Sequence, residues 1–144
     1  MIAVDTNILV YAHRRDSRWH AAARETVREL AEGRDPWAIP WPCVHEFLAV
    51  VTHPRIYDPP SELAAGLDQL SAWMESPSLA LLAEGPGYSE HLAEVLRSSR
   101  ALGARVHDAR IAALCLYQGV RELWTADRDF SRFPALPVKN PLVG

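Results

Sequence analysis

A chain of 144 residues, 49% hydrophobic and 23% charged, has the size and composition of one globular domain with its own core, which excludes a disordered segment, a collagen-like repeat and a coiled coil. A net charge of −3 denies it the basic footprint of a protein that grips nucleic acid by bulk electrostatics, so any polyanion has to be held locally. No apolar run approaches the roughly 18 residues of a membrane span, and the opening MIAVDTNILV places an acid inside its apolar stretch with no basic flank, unlike a secretory leader. The expected location is the cytoplasm. Cys43 and Cys115 stand far apart in apolar surroundings with no metal-type spacing and read as buried thiols.

Short apolar runs alternate with segments of helical period, the pattern of an α/β protein with a mainly parallel sheet. Residues 2–5 read as the first strand. Thr6 or Asn7 then caps a helix over residues 8–14, and Ser17 caps a second whose stripe of Ala23, Val27, Leu30 and Ala31 ends at Gly33. Residues 37–40 form a Pro-bounded strand, and Pro42 opens a helix that runs to about residue 53. Leu63, Leu67, Leu70 and Met74 repeat at helical spacing, and Pro77 blocks continuation into the apolar run 79–83, a third strand. Leu92, Val95 and Leu96 mark another helix, punctuated by Gly103. Residues 108–118 form the last one, stopped by Gly119. Residues 123–125 are a fourth strand, and 136–138, flanked by prolines, a fifth on the edge.

Most of the 18 acids belong on solvated helix faces. Four stand apart. Asp5 closes an apolar strand at its carboxyl end, where parallel sheets place their ligand crevice, although a turn or cap would also use an Asp there. Glu46 is the only acid in the otherwise apolar Val44–Val51 stretch, a helix expected to be packed on several sides; the plain alternative is that it reaches solvent at an uncovered edge. Asp108 shares a helix side with Ile111 and Ala112 and faces inward, or else complements the helix dipole. Asp127 follows the fourth strand by two residues, with Asp129 competing for its role. Parallel topology brings strand ends and helix starts to one rim, and two carboxylates about 4 Å apart repel by roughly 4 kcal/mol at an effective dielectric near 20. Three or four together need a cation or raised pKa values; a hard divalent cation, Mg²⁺ or Mn²⁺, fits best, and a cation with open positions for phosphate oxygens points to phosphodiester chemistry.

These residues resemble the PIN-domain family, and in particular the VapC-type ribonuclease toxins of bacterial toxin–antitoxin pairs. The carriers are Asp5-Thr6-Asn7-Ile8-Leu9-Val10-Tyr11, the mid-chain helix with Glu46, His107-Asp108-Ala109-Arg110-Ile111-Ala112-Ala113, and Thr125-Ala126-Asp127-Arg128-Asp129-Phe130. The match spans nearly the whole chain. It implies a three-layer α/β/α fold on a sheet of four or five strands, formed by a single domain over residues 1–144. It further implies that Asp5, Glu46, Asp108 and Asp127 form an acidic Mg²⁺ site, that Asn7 and Thr125 orient the carboxylates or a water, and that Asp129 is structural or peripheral. The implied activity is metal-dependent hydrolysis of RNA by activated water, and the implied partners are a small antitoxin protein and a second copy of the chain.

Arg14, Arg15, Arg110, Arg128 and Arg132 lie nearest the rim in sequence and are candidates for substrate phosphates, or ordinary surface charge. His13, His45 and His107 adjoin the acids in sequence but not on a helix face, so none is assigned as a base. The five tryptophans are spread over separate elements and read as packing residues. Two other classes remain open: a non-catalytic RNA- or protein-binding module, and a metal-dependent phosphatase. The phosphatase would carry a second acid just after the first strand, where Asn7 stands.

Overall fold

The computed structural model describes residues 1–143. The chain runs β1 (Ile2–Val4), α1 (Thr6–His13), α2 (His20–Glu32), β2 (Trp37–Pro40), α3 (Trp41–Val51), α4 (Leu63–Met74), β3 (Leu79–Leu82), α5 (Tyr88–Ser99), α6 (Arg105–Tyr117), β4 (Glu122–Trp124), a short 3₁₀ turn (Arg128–Arg132) and β5 (Val138–Lys139). The strands form one sheet in the order β3-β2-β1-β4-β5, and every pairing is parallel. Five strands and six α-helices build the three layers that such a sheet requires, since parallel strands are connected by helices that cover its faces.

Chain order along the sheet reverses at β1, whose two neighbours are β2 and β4. Outward from β1 the chain builds β2 and β3 on one side, then returns to lay β4 and β5 on the other. The two connections diverge at the carboxyl ends of β1 and β4 and leave a crevice between them. Below it the sheet is dry: Ala3, Val4, Ala38, Ile39 and Leu123 are wholly buried, as are Ile8 and Leu9 of α1, Phe47 of α3 and Leu114 of α6. Ala109, Ala112 and Ala113 are also fully covered, and such small side chains let α6 approach its neighbours closely.

Several boundaries differ from the sequence expectations, each for a local reason. Asp5, not Thr6 or Asn7, caps α1, because its carboxylate accepts the Thr6 N–H while its backbone remains extended at the end of β1. Ser17 does not cap α2; its hydroxyl accepts the Trp19 N–H at 3.1 Å in the turn before that helix begins at His20. The fourth strand ends at Trp124, so Thr125 lies just beyond it, and the fifth is Val138–Lys139, an exposed edge. The largest departure is α4. Leu70 is buried together with Gly66 and Trp73, while Leu63, Leu67 and Met74 of the expected stripe are exposed. Gly66 decides this face: a Cβ there would lie 3.2 Å from Leu48 Cδ2, so the missing side chain lets α4 sit close against α3.

Candidate metal centre and substrate cleft

Asp5 is fixed by the junction between β1 and α1. Its N–H donates to the Trp124 carbonyl at 3.0 Å, extending the β1–β4 ladder by one bond, and its side chain is turned down into the crevice with 4% of the residue exposed. Each carboxylate oxygen has two donors. Oδ1 accepts from the Thr6 N–H at 2.8 Å and from the Cys43 thiol at 3.5 Å; Oδ2 accepts from the Thr125 hydroxyl at 2.7 Å and the Asn7 amide at 3.3 Å. Burial nevertheless dominates and pushes the Asp5 carboxyl up from 3.8 to about 6, with a smaller upward push from Glu46 and partial relief from the Thr125, Thr6 and Cys43 bonds.

Asn7 and Thr125 tie the crevice shut from both sides. The Asn7 amide also donates to Thr125 Oγ1 at 3.2 Å, and its carbonyl oxygen accepts the Ala126 N–H at 3.0 Å. Thr125 Oγ1 accepts the Asp127 N–H at 3.0 Å, and Asp127 in turn accepts the Asp129 N–H at 2.9 Å, which starts the 3₁₀ turn. The tail of the chain is thereby folded back over β1, with Asp127 carried to the cleft.

Glu46 enters from α3. The helix is covered by Cys43, Val44, Phe47 and Val51, but His45, Glu46 and Ala49 are exposed, so it is not packed all round as its composition implied. Glu46 lies at the uncovered edge, and that edge is the cleft. Its Oε2 accepts the Thr6 hydroxyl at 3.1 Å, which links it to the residue beside Asp5. Asp108 comes from the first turn of α6 and is half-buried; burial raises its pKa first, followed by the charges of Asp127, Asp129 and Glu46.

Asp5, Glu46, Asp108 and Asp127 thus line one cleft of about 230 Å³, together with Thr6, Asn7, Tyr11 and Tyr57. Carboxylate oxygens of Asp108, Asp127 and Asp129 lie within 4.8 Å of one another. Asp129, expected at the periphery, stands with them at the rim. Among the described residues none of these five acids is in an ion pair; the arginine pairs are Arg14 with Asp16, Arg28 with Glu25 and Glu32, and Arg110 with Glu84. Acidic oxygens so close, in no ion pair among the described residues and opposed only by the charge of Arg105 on Asp108, suit a hard divalent cation.

The candidate arginines divide. Arg14 is spent on Asp16, on Ser61 Oγ and on the Pro59 carbonyl, and Arg110 on Glu84 at 3.1 Å. Arg15 lines a separate groove with His13, His20 and α4, away from the acids. Arg128 and Arg132 are exposed on the 3₁₀ turn beside Asp127 and Asp129. Of the histidines, His13 is held by Gln69 and Ser61 and His45 stacks on Trp41, so neither touches the carboxylates. Sequence reasoning missed Thr6, Cys43, Tyr11 and Tyr57. Cys43 could have been found, since it stands one helical turn before Glu46 on the same face; Tyr57 lies in an irregular segment that carries no periodic signal.

A family model described as "PIN domain" matches residues 2–136. The chain belongs to the PIN-domain family. Among relatives, "Ribonuclease VapC43" of Mycobacterium tuberculosis is 33% identical over 144 residues, covering 100% of this chain and 97% of the relative. "Ribonuclease VapC48" of the same organism is 27% identical over 97% of each chain. The same PIN fold recurs in the solved VapBC2 complex of Rickettsia felis, bound to a DNA fragment from its promoter, at TM-score 0.69 and 19% identity over 96% of this chain and 98% of that one. It recurs in Mycobacterium tuberculosis VapC20, described as a sarcin–ricin loop cleaving toxin, at TM-score 0.65 and 17% identity over 91% of this chain and 93% of that one. Among the described residues no helix is long and apolar enough to cross a membrane.

Proposed function

We propose that this PIN domain is a metal-dependent endoribonuclease, the toxin of a toxin–antitoxin pair, with a small antitoxin as its cellular partner and a second copy of itself as its oligomeric one. The observation that carries the reading is the convergence of Asp5, Glu46, Asp108 and Asp127 on one cleft at the β1–β4 switch point, with none of them in an ion pair among the described residues. The all-oxygen donor set favours Mg²⁺, with Mn²⁺ as a substitute. Asp5 and Asp108 would hold the cation, Glu46 would complete the set, and Asp127 would position a second ion or a water. A cation so held supplies charge neutralisation at the phosphate and activation of water.

The chain's own residues divide the remaining work. Thr125, Asn7 and Thr6 fix the carboxylates in place before anything binds, which is the form of preorganisation that lowers a barrier without reorganisation at the moment of reaction. Asp5, with each oxygen held by two donors, is a poor nucleophile and a good fixed ligand, so hydrolysis by water is favoured over an aspartyl-phosphate route.

The test is incubation of the purified, antitoxin-free protein with mixed cellular RNA in Mg²⁺, in Mn²⁺ and in EDTA, beside Asp108→Asn. Discrete fragments that require both the cation and Asp108 are expected, and their ends identify the target. Absence of cleavage in every lane, together with calorimetry that detects no binding of either ion, refutes the enzymatic reading.

A further inference from the structure

Beside the acids the cleft has a second kind of wall, made by Tyr11, Tyr57, Val10, Val50 and Ile111. Tyr57 is its unexpected member. It belongs to residues 52–62, the irregular link between α3 and α4, where Arg55, Ile56 and Asp58 around it are exposed. The ring is half-buried, packed in part against the core and in part lining the cleft, and its hydroxyl has no hydrogen-bond partner among the described residues.

What sets Tyr57 apart is the way it is held. The Arg14 guanidinium lies over its ring, 4.2 Å from the centroid. Arg14 is itself pinned by two bonds to Asp16, at 3.0 and 2.7 Å, by Ser61 Oγ at 3.2 Å and by the Pro59 carbonyl at 3.0 Å, and its side chain is only 11% exposed. The turn between α1 and α2 and the link between α3 and α4 thus converge on one guanidinium, and the guanidinium lies against the aromatic ring. A ring immobilised in advance loses little entropy when a flat ligand stacks on it. The adjoining acids and the proposed cation mark where a phosphate sits, so the flat group next to it is a nucleobase. The cleft, about 230 Å³, is smaller than the roughly 300–1,000 Å³ of typical small-molecule sites, a size that suits a single flat ring beside the acids.

We infer that Tyr57, backed by Arg14, is the residue that stacks on the base beside the scissile phosphate. This rests on the ribonuclease reading and adds to it a residue of this chain that positions the substrate's base. Aromatic stacking is tolerant of sequence and favours unstacked bases, the usual mode of single-strand recognition.

The test measures binding apart from cleavage. Asp108→Asn protein in Mg²⁺ is titrated into fluorescently labelled heptauridylate and heptaadenylate and followed by anisotropy, with Tyr57→Ala and Tyr57→Phe introduced into the same background. Tyr57→Ala is expected to weaken binding about 5- to 150-fold, the range for loss of one stacked base, while Tyr57→Phe stays within about twofold of its parent because the ring remains. A set of heptauridylates with a single abasic position is then scanned. One position should reproduce the Tyr57→Ala loss with the ring intact and add nothing to it when the ring is gone. Should Tyr57→Ala melt well below its parent, the Phe variant and the abasic scan on the intact protein decide.

Equal binding by the Tyr57→Ala variant, an equal loss for Phe and Ala, a flat abasic scan, or no binding of either RNA by the intact-ring protein each overturns the inference. So does a Tyr57→Ala variant that keeps RNA affinity and loses only its co-purifying protein partner. Failure of the ribonuclease reading is separate: it appears as no metal-dependent cleavage by the unaltered chain, whatever the ring does to binding.

Discussion

Asp5 is buried so thoroughly that its charge destabilises the metal-free fold, and the size of that effect is open to measurement. Its pKa stands at about 6 in the folded chain against 3.8 when exposed. At 1.36 kcal/mol per pH unit the gap amounts to about 3 kcal/mol. Because the folded state binds the proton more tightly, the associated stability is fully present below pH 3.8 and is lost as the pH rises through about 6. Asp5→Asn removes this titration. The amide fits the four donors around Asp5 imperfectly, but that misfit is independent of pH and drops out of the slope. Urea unfolding of both proteins in EDTA from pH 4.5 to 7.5 should show the wild-type chain losing about 2 kcal/mol relative to Asp5→Asn across the range. Most of that loss falls below pH 6.5. Saturating Mg²⁺ should flatten the difference, since the cation replaces the proton. A relative stability that does not change with pH in EDTA would refute the reasoning, because it would mean that the hydrogen bonds of Thr6, Thr125, Asn7 and Cys43 compensate the buried charge in full.

The two faces of α4 make contrasting predictions. Leu70→Ala should cost about 2–5 kcal/mol as a core truncation, whereas Leu63→Ala, at a residue 60% exposed, should stay within about 0.5 kcal/mol; equal losses in denaturant titration would mean that the helix packs by its other face. His13 is held below its ordinary 6.5, first by burial and then by the charges of Arg14 and His20, against an opposing bond from Gln69, and it packs on Phe47 of α3. Its neutral form is the folded form, so its contribution is complete above pH 6.5 and declines as the pH falls below it, the reverse of Asp5. Chemical-shift titration of the His13 ring should give a midpoint below 6.5, and a midpoint at or above that value would remove this term.

Elements set by local rules were legible in the sequence. β2, β3 and the course of α6 follow from apolar runs and from the punctuation of Pro77 and Gly119, and Asp5 and Asp127 could be placed because a strand end carries its own residue to the rim. The reading failed where partners distant in sequence decide. On α4 the repeat of leucines fits a helix, but which side is buried depends on Leu48 meeting the bare backbone of Gly66. For Glu46 the sequence left two readings, a helix packed on several sides or an uncovered edge; it lies at the edge, because that edge is created by the crevice itself, which no window of residues around 46 contains. Asp129 is exposed at the rim, and its proximity to Asp108 arises from the 3₁₀ turn after β4. Tyr57 left no trace at all, since its position is set by Arg14, which lies 43 residues earlier in the chain.

The distribution of arginines explains why so acidic a site persists in a chain with 15 basic residues. Arg14 and Arg110, near the cleft in sequence, are turned to Asp16 and Glu84, and Arg28 to two glutamates of its own helix. A guanidinium inside the cleft would relieve the repulsion among the carboxylates, and for that reason it would hold the place that a cation needs. Left unpaired, the acids have two ways to lower their repulsion, by taking up a proton or by binding a metal, and the raised pKa of both Asp5 and Asp108 is the first of these. The two would compete at the same oxygens, so the affinity of these carboxylates for a cation would weaken as the pH falls toward 6. The interactions that position Asp5, above all the Thr125 hydroxyl at 2.7 Å, work in favour of the metal by drawing its pKa down from where burial alone would leave it. Thr125 therefore does more than hold a carboxylate still: with Thr6 and Cys43 it draws the Asp5 pKa back toward the ionised form that a cation would need.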